Sequence, residues 1–218
     1  DGSSVGQRGD WNWIEFRASS DDTSVLDRVE VRYGGSCCYD DRANIRLLDA
    51  SPAIRNSVIS YSGRHGIYLK SNLYAGSSAP TISNNQFSNN QSASIGSDVA
   101  SWPVLSGNSS LNNGTNGLAL FGGSISANTQ WNQTSMVYRL FGDITVSSGA
   151  TLSVAPGMIV KFNSDRQLYI DGKLVAVGAQ GQPAIFTSYR DDSAGGDTNG
   201  DGSSVGQRGD WNWIEFRA

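Results

Sequence analysis

The chain has 218 residues, with 16 lysines and arginines against 20 aspartates and glutamates, a formal net charge of −4. That near-neutral balance, without a basic cluster, excludes a nucleic-acid binder, and no apolar stretch reaches the roughly 18 residues of a membrane-spanning helix. Sparse lysine, 26 glycines and short apolar runs set among Ser, Thr and Asn describe an extracellular all-β protein.

The opening eighteen residues, DGSSVGQRGDWNWIEFRA, return unchanged as residues 201–218. Residues 1–200 therefore read as one repeat unit and 201–218 as the start of the next, as in a tandem array whose units cover one another's ends. Residues 13–16 read as a strand. With Phe16 inward, Trp11 and Trp13 share the outer face with Glu15 and could stack on sugar rings or a neighbouring fibre; burial beneath a loop is the more ordinary fate of Trp. Arg8-Gly9-Asp10 is an integrin-type tripeptide, and a turn ahead of a strand explains it equally. Residues 21–26 are the one short helical possibility. Strands follow at 29–33, 45–48, 58–61 and 66–69, separated by polar corners. Cys37 and Cys38 are adjacent and fit no zinc or haem spacing; a vicinal disulfide, a bridge to another chain and two small side chains all stay open.

A shorter period lies inside the long one. Ser51-Pro52-Ala53-Ile54-Arg55-Asn56, Ala79-Pro80-Thr81-Ile82-Ser83-Asn84 and Trp102-Pro103-Val104-Leu105-Ser106-Gly107-Asn108 share one pattern, with their prolines 28 and 23 residues apart. An apolar residue follows each Asn (Val58, Phe87, Leu111), and a further strand comes soon after. A block of this length suits one coil of a parallel β-helix, in which successive coils hydrogen-bond at about 4.8 Å. Asn56, Asn84 and Asn108 then fall at matching corners, as an amide ladder or as left-handed turn residues. Later strands are expected at 118–121, 143–146, 151–154, 158–162, 168–170, 173–177 and 184–187. Residues 124–141 fit least well and are expected to be an irregular turn or a junction between two segments.

Family-like phrases follow this region: Gly142-Asp143-Ile144-Thr145-Val146, Ala150-Thr151-Leu152-Ser153-Val154-Ala155-Pro156-Gly157, Ile159-Val160-Lys161-Phe162, Gly172-Lys173-Leu174, Pro183-Ala184-Ile185-Phe186-Thr187-Ser188 and Gly209-Asp210-Trp211-Asn212-Trp213-Ile214-Glu215-Phe216. In these the chain resembles the right-handed parallel β-helix proteins of the pectate-lyase-like superfamily, and among them the large repetitive bacterial surface and filament proteins. The resemblance implies an all-β, right-handed β-solenoid with roughly 8–9 turns per repeat, each unit advancing roughly 40 Å. It also implies a secreted or cell-surface structural protein: a filament, stalk or adhesive fibre that self-associates end to end through stacked turns, with glycans or a host surface as partners. A carbohydrate-binding or polysaccharide-cleaving β-helix is the alternative.

Asp197-Thr198-Asn199-Gly200-Asp201-Gly202 has the D-x-N-x-D-G form of a calcium loop, in which alternate oxygens converge on one hard cation. Asp191 and Asp192, just upstream, could add ligands to Asp197, Asn199 and Asp201. The twelfth position is Arg208, not Glu, which excludes an EF-hand. The resemblance implies a looser calcium loop; a solvated acidic turn is the other reading. Catalysis is not expected. His65 stands alone beside Arg64 and Gly66, and Asp21, Asp22, Asp40, Asp41 and Asp49 show no basic partner at turn spacing. The superfamily's catalytic motifs find no match, so no catalytic residue is assigned.

Overall fold

The computed structural model describes residues 4–36, 39–71 and 78–217. Cys37 and Cys38 lie outside the described residues. Among the described residues the chain forms twenty-three short strands and no helix, so no helix is long and apolar enough to cross a membrane.

The strands fall on three faces, visited in rotation. The long sheet takes β1 (Ile14–Arg17), β4 (Ala43–Leu48), β7 (His65–Lys70), β10 (Ala93–Ser97), β13 (Thr115–Leu120), β16 (Tyr138–Leu140), β19 (Ile159–Phe162) and β22 (Ile185–Ser188). The second face carries β2 (Val25–Asp27), β5 (Ala53–Arg55), β8 (Thr81–Ser83) and β11 (Val104–Ser106), then β14 (Gly123–Ile125), β17 (Ile144–Val146), β20 (Leu168–Ile170) and β23 (Ile214–Phe216). The third carries β3 (Glu30–Arg32), β6 (Val58–Ser60), β9 (Gln86–Ser88) and β12 (Ser109–Leu111), then β15 (Thr129–Trp131), β18 (Thr151–Val154) and β21 (Lys173–Ala176). The chain is an all-β, right-handed parallel β-helix.

Alternation along each strand sends one side-chain set inward, and parallel register stacks like on like. Ile45, Ile67, Ile95, Leu118, Tyr138 and Val160 form one inward column of the long sheet, and all are buried. Leu26, Ile54, Ile82 and Leu105 form a column on the second face. This column overrides the helical possibility at residues 21–26: Asp21 Oδ1 instead accepts the Thr23 amide in a tight turn, and Leu26 enters a strand beside Ile54.

The corners correct the expected ladder at two of its three residues: Asn108 belongs to it, whereas Asn56 and Asn84 are left-handed turn residues. Asn56 (φ 51°), Asn84 (φ 55°) and Gly107 (φ 61°) take the left-handed corner conformation. The next residues make the ladder. The Ser57 amide donates to Asn85 Oδ1 at 3.0 Å, and Asn85 donates to Asn108 Oδ1 from both its amide (3.0 Å) and its Nδ2 (3.2 Å). A second ladder at the following corner runs from the Ser62 amide through Asn90 to Asn113, with Asn90 Nδ2 at 2.8 Å from Asn113 Oδ1. These amides satisfy backbone groups that the corners would otherwise bury unpaired.

Residues 123–140 hold three strands, β14, β15 and β16, each in register with the coil that follows. The discontinuity lies just before them. The upper sheets of the second and third faces stop at β11 and β12, and new sheets begin at β14 and β15, while the long sheet runs through from β13 to β16. At this level the Leu105 amide finds no strand and donates to Gln133 Oε1 at 2.9 Å. Trp131, fully buried, packs edge-on to Tyr138 with ring centroids 5.8 Å apart.

Candidate functional site

Outward positions of the long sheet stack in the order Glu15, Arg46, Tyr68, Gly96, Ala119, Arg139, Lys161 and Thr187. The two smallest side chains stand together in the middle: the rings of Tyr68 and His65 cover Gly96, and a groove opens at Ala119. A Cβ on Gly96 would lie 2.9 Å from Tyr68 Cδ2 and 3.0 Å from His65 Nδ1, so the rings need that glycine. The groove has a volume of about 630 Å³, and its lining includes His65, Phe121, Phe141, Arg139, Tyr189 and Asp40.

The rings form a connected wall. His65 meets Phe121 edge-on at 5.3 Å and tilts against Tyr68 at 5.5 Å; Phe121 packs on Phe141 at 5.6 Å. The Arg139 guanidinium lies 4.5 Å from the centre of Phe141 and 4.9 Å from that of Tyr189. Arg139 also donates to Thr115 Oγ1 at 2.9 Å and to Asn163 Oδ1 at 2.6 Å. Burial works against its charge, and Tyr189 and Asp201 support it. His65 is buried. Its Nδ1 accepts the Ala93 amide at 3.2 Å, and its Nε2 sits 2.9 Å from the Asp40 carbonyl, a pattern that puts the proton on Nε2. Burial brings its pKa down to about 4, so the ring is neutral near pH 7.

After β22 the chain turns back over the lower half of this face as a long return loop, 189–213, which contains the acidic motif. Gly195 seats it: at φ 71°, a Cβ there would strike Val137 Cγ2 at 2.5 Å. Lys161, fully buried, donates from Nζ to the Gly196 carbonyl at 2.9 Å; burial lowers its pKa while Asp192, Asp191 and Asp197 raise it. Further back, the Asn116 amide donates to the Thr198 carbonyl at 2.7 Å and its Nδ2 to the Asp197 carbonyl at 3.0 Å.

Within the loop, Asp192, Asp197 and Asp201 bring one carboxylate oxygen each to within 4.8 Å of one another. Asp197 is shaped by the Gly200 amide (2.7 Å) and the Gly202 amide (3.1 Å), and Asp192 Oδ2 accepts the Ser204 amide at 2.7 Å. Asp192 Oδ1 and Asn199 Oδ1 are buried atoms without a hydrogen-bond partner. Asn199 gives its Nδ2 to Asp201 at 2.7 Å. Asp191 stands apart from the trio, accepting Thr187 Oγ1 at 2.6 Å, and hydrogen bonds from Ser193 and Thr187 lower its pKa. The donor set, three carboxylates and a spare amide oxygen, suits a hard divalent cation.

Trp11 is 37% exposed, and its Nε1 donates to the Arg32 carbonyl at 2.8 Å. Trp13 is half-buried on the outer face with Glu15, to which its Nε1 donates at 3.0 Å; the Arg42 and Arg46 guanidiniums lie 4.2 and 4.7 Å from the centre of its ring. The Arg8-Gly9-Asp10 turn is exposed, and Asp10 Oδ2 accepts the Gln7 amide at 2.7 Å. Arg46 bridges Glu15 of the preceding coil (2.9 Å), with which it stands in register, and Asp41 (2.7 Å), five residues before it. The groove residues Phe121, Phe141, Arg139 and Tyr189 were not singled out by sequence reasoning. One signal was there to find: Leu120-Phe121-Gly122 recurs as Leu140-Phe141-Gly142 one coil later.

Three faces of parallel strands and a grooved outer face on the longest sheet define a solenoid of the β-helix class. The family model described as right handed beta helix region matches residues 17–134, and the chain belongs to that family. A model described as pectate-lyase like beta helix domain matches residues 123–203. The two matches meet at the level where the second and third faces change sheets. No curated protein and no solved structure matches the chain. β-Helix domains of the pectate-lyase-like kind are often polysaccharide-active enzymes or surface proteins.

Proposed function

We propose that this chain is a unit of an extracellular structural β-solenoid, a filament, stalk or surface fibre in which identical 200-residue units stand end to end. The observation that carries this reading is the duplication. Both copies of the eighteen-residue segment form a parallel strand. β1 pairs with β4 ahead of it and β23 pairs with β20 behind it, so the same sequence carries a parallel ladder in either direction along the axis. Calcium in the return loop, held by Asp192, Asp197 and Asp201 with Asn199 Oδ1, would stiffen the joint that follows. Electron microscopy of the native material is the test. The described residues place twenty-two strands on three faces per period, a little over seven turns where eight or nine were expected, so a thin filament with an axial repeat of roughly 35 Å rather than roughly 40 Å is expected. Discrete rods one unit long would sink the reading.

The groove supports a second reading, contact with an acidic polysaccharide. Aromatic rings offer stacking faces, and Arg64 and Arg139 line the same cavity. Affinity electrophoresis in gels containing acidic polysaccharide should retard the chain, and Tyr189→Ser with Arg64→Ala should abolish the retardation. Equal mobility with and without polysaccharide would remove this reading, and release of new chain ends from the polysaccharide would make the groove a cleavage site.

A further inference from the structure

The two copies of the duplicated segment do not occupy the same face. Ile14, Glu15 and Phe16 lie in the long sheet, beside Ile45, Arg46 and Leu47. Ile214, Glu215 and Phe216 lie on the second face, beside Leu168, Tyr169 and Ile170. The cause is arithmetic. Among the described residues β23 repeats β1, so one period holds twenty-two strands, one more than seven coils of three. We propose that identical units join with a one-face offset: the second-face ladder of one unit runs on into the long sheet of the next, through the shared strand. This inference rests on the end-to-end reading above and adds its geometry.

At Asn12 and Trp11 the contacts of the two copies support a single joint, since each copy uses atoms that the other leaves free; Arg17 must exchange partners instead, because its amide and Nε serve Ser20 and Glu15 in the first copy and Ile170 and Asp171 in the second. In the first copy, Asn12 works as an acceptor: its carbonyl takes the Gly35 amide at 2.6 Å and its Oδ1 takes Ser36 Oγ at 2.6 Å. In the second, Asn212 works as a donor: its amide gives to the Arg166 carbonyl at 3.1 Å and its Nδ2 to the Asp165 carbonyl at 3.2 Å. The tryptophan divides in the same way. Trp11 uses its Nε1 toward Arg32, whereas Trp211 uses its ring face, stacked on Phe162 at 4.3 Å. The local turn is common to both: the Gln207 amide donates to Asp210 Oδ2 at 2.8 Å, as Gln7 does to Asp10. Read together, the segment holds the coil behind it through one set of atoms and the coil ahead through another. The strand column Asp171, Arg217 (equivalent to Arg17) and Leu48 of the next copy follows from the two registers.

The test extends the full chain by a second copy of residues 19–200, with every Cys37 and Cys38 replaced by Ser. One variant pairs Asp171→Cys with Leu48→Cys of the second copy, and the other pairs Tyr189→Cys with the same cysteine. A cross-linker spanning two strand spacings, about 10 Å, is applied and the linked peptides are mapped. Linkage through Asp171 but not Tyr189 is expected. Linkage through Tyr189 alone would overturn the offset while leaving end-to-end stacking intact. Linkage through neither, in chains that melt cooperatively, would overturn both the offset and the end-to-end reading.

Discussion

The ring of His65 stays neutral because it is walled in by Tyr68 and Phe121 and already spends both nitrogens on backbone groups. Its folded pKa, about 4, lies below the ordinary histidine value near 6.5. Between those two values the unfolded chain binds a proton that the folded chain refuses. The contribution to stability is therefore full above pH 6.5 and is lost as pH falls toward 4. The shift corresponds to roughly 3 kcal/mol. Thermal melts of the parent chain from pH 7 to pH 4.5 should fall more steeply than those of His65→Gln. Parallel slopes would show that the ring carries no proton-linked stability.

At the scale of elements, the return loop is the piece whose state a ligand can set. It leaves β22, touches β19 through Lys161 and reaches Asn116 of β13. Calcium at Asp192, Asp197 and Asp201 would neutralise three converging carboxylates and tighten that path. Adding millimolar calcium to chelator-treated protein should raise its Tm by several degrees, and Asp197→Asn should remove most of the gain. A Tm indifferent to calcium would leave the loop a solvated acidic turn.

Elements also show what could be read from the sequence and what could not. The three proline blocks fixed the coil length, and they carried the parallel helix with them. The amide ladder was read correctly at Asn108, where Gly107 takes the left-handed turn, and missed by one residue at Asn56-Ser57 and Asn84-Asn85, where two polar residues stand in sequence and nothing local says which one turns left-handed. The acidic trio was legible because its members are close in sequence. The groove was not, since Phe121, Arg139 and Tyr189 belong to different coils of unequal length. Their meeting depends on register, which only the stacked structure supplies.

For the whole molecule, the sheet change after β11 and β12 has a mechanical consequence. Among the described residues the strand ladders cross that level through the three paired positions of β13 and β16, because the other two ladders are interrupted there, and a few side-chain bonds add to them. Bending is easiest at the same height, with the long sheet as the hinge leaf and the opposite side opening. The return loop lies across this hinge on the outside of the long sheet, fastened below it at Lys161 and above it at Asn116. Whatever stiffens the loop also sets how far a unit can flex, so a rod built from such units would trade compliance for rigidity as the ion concentration around it changes.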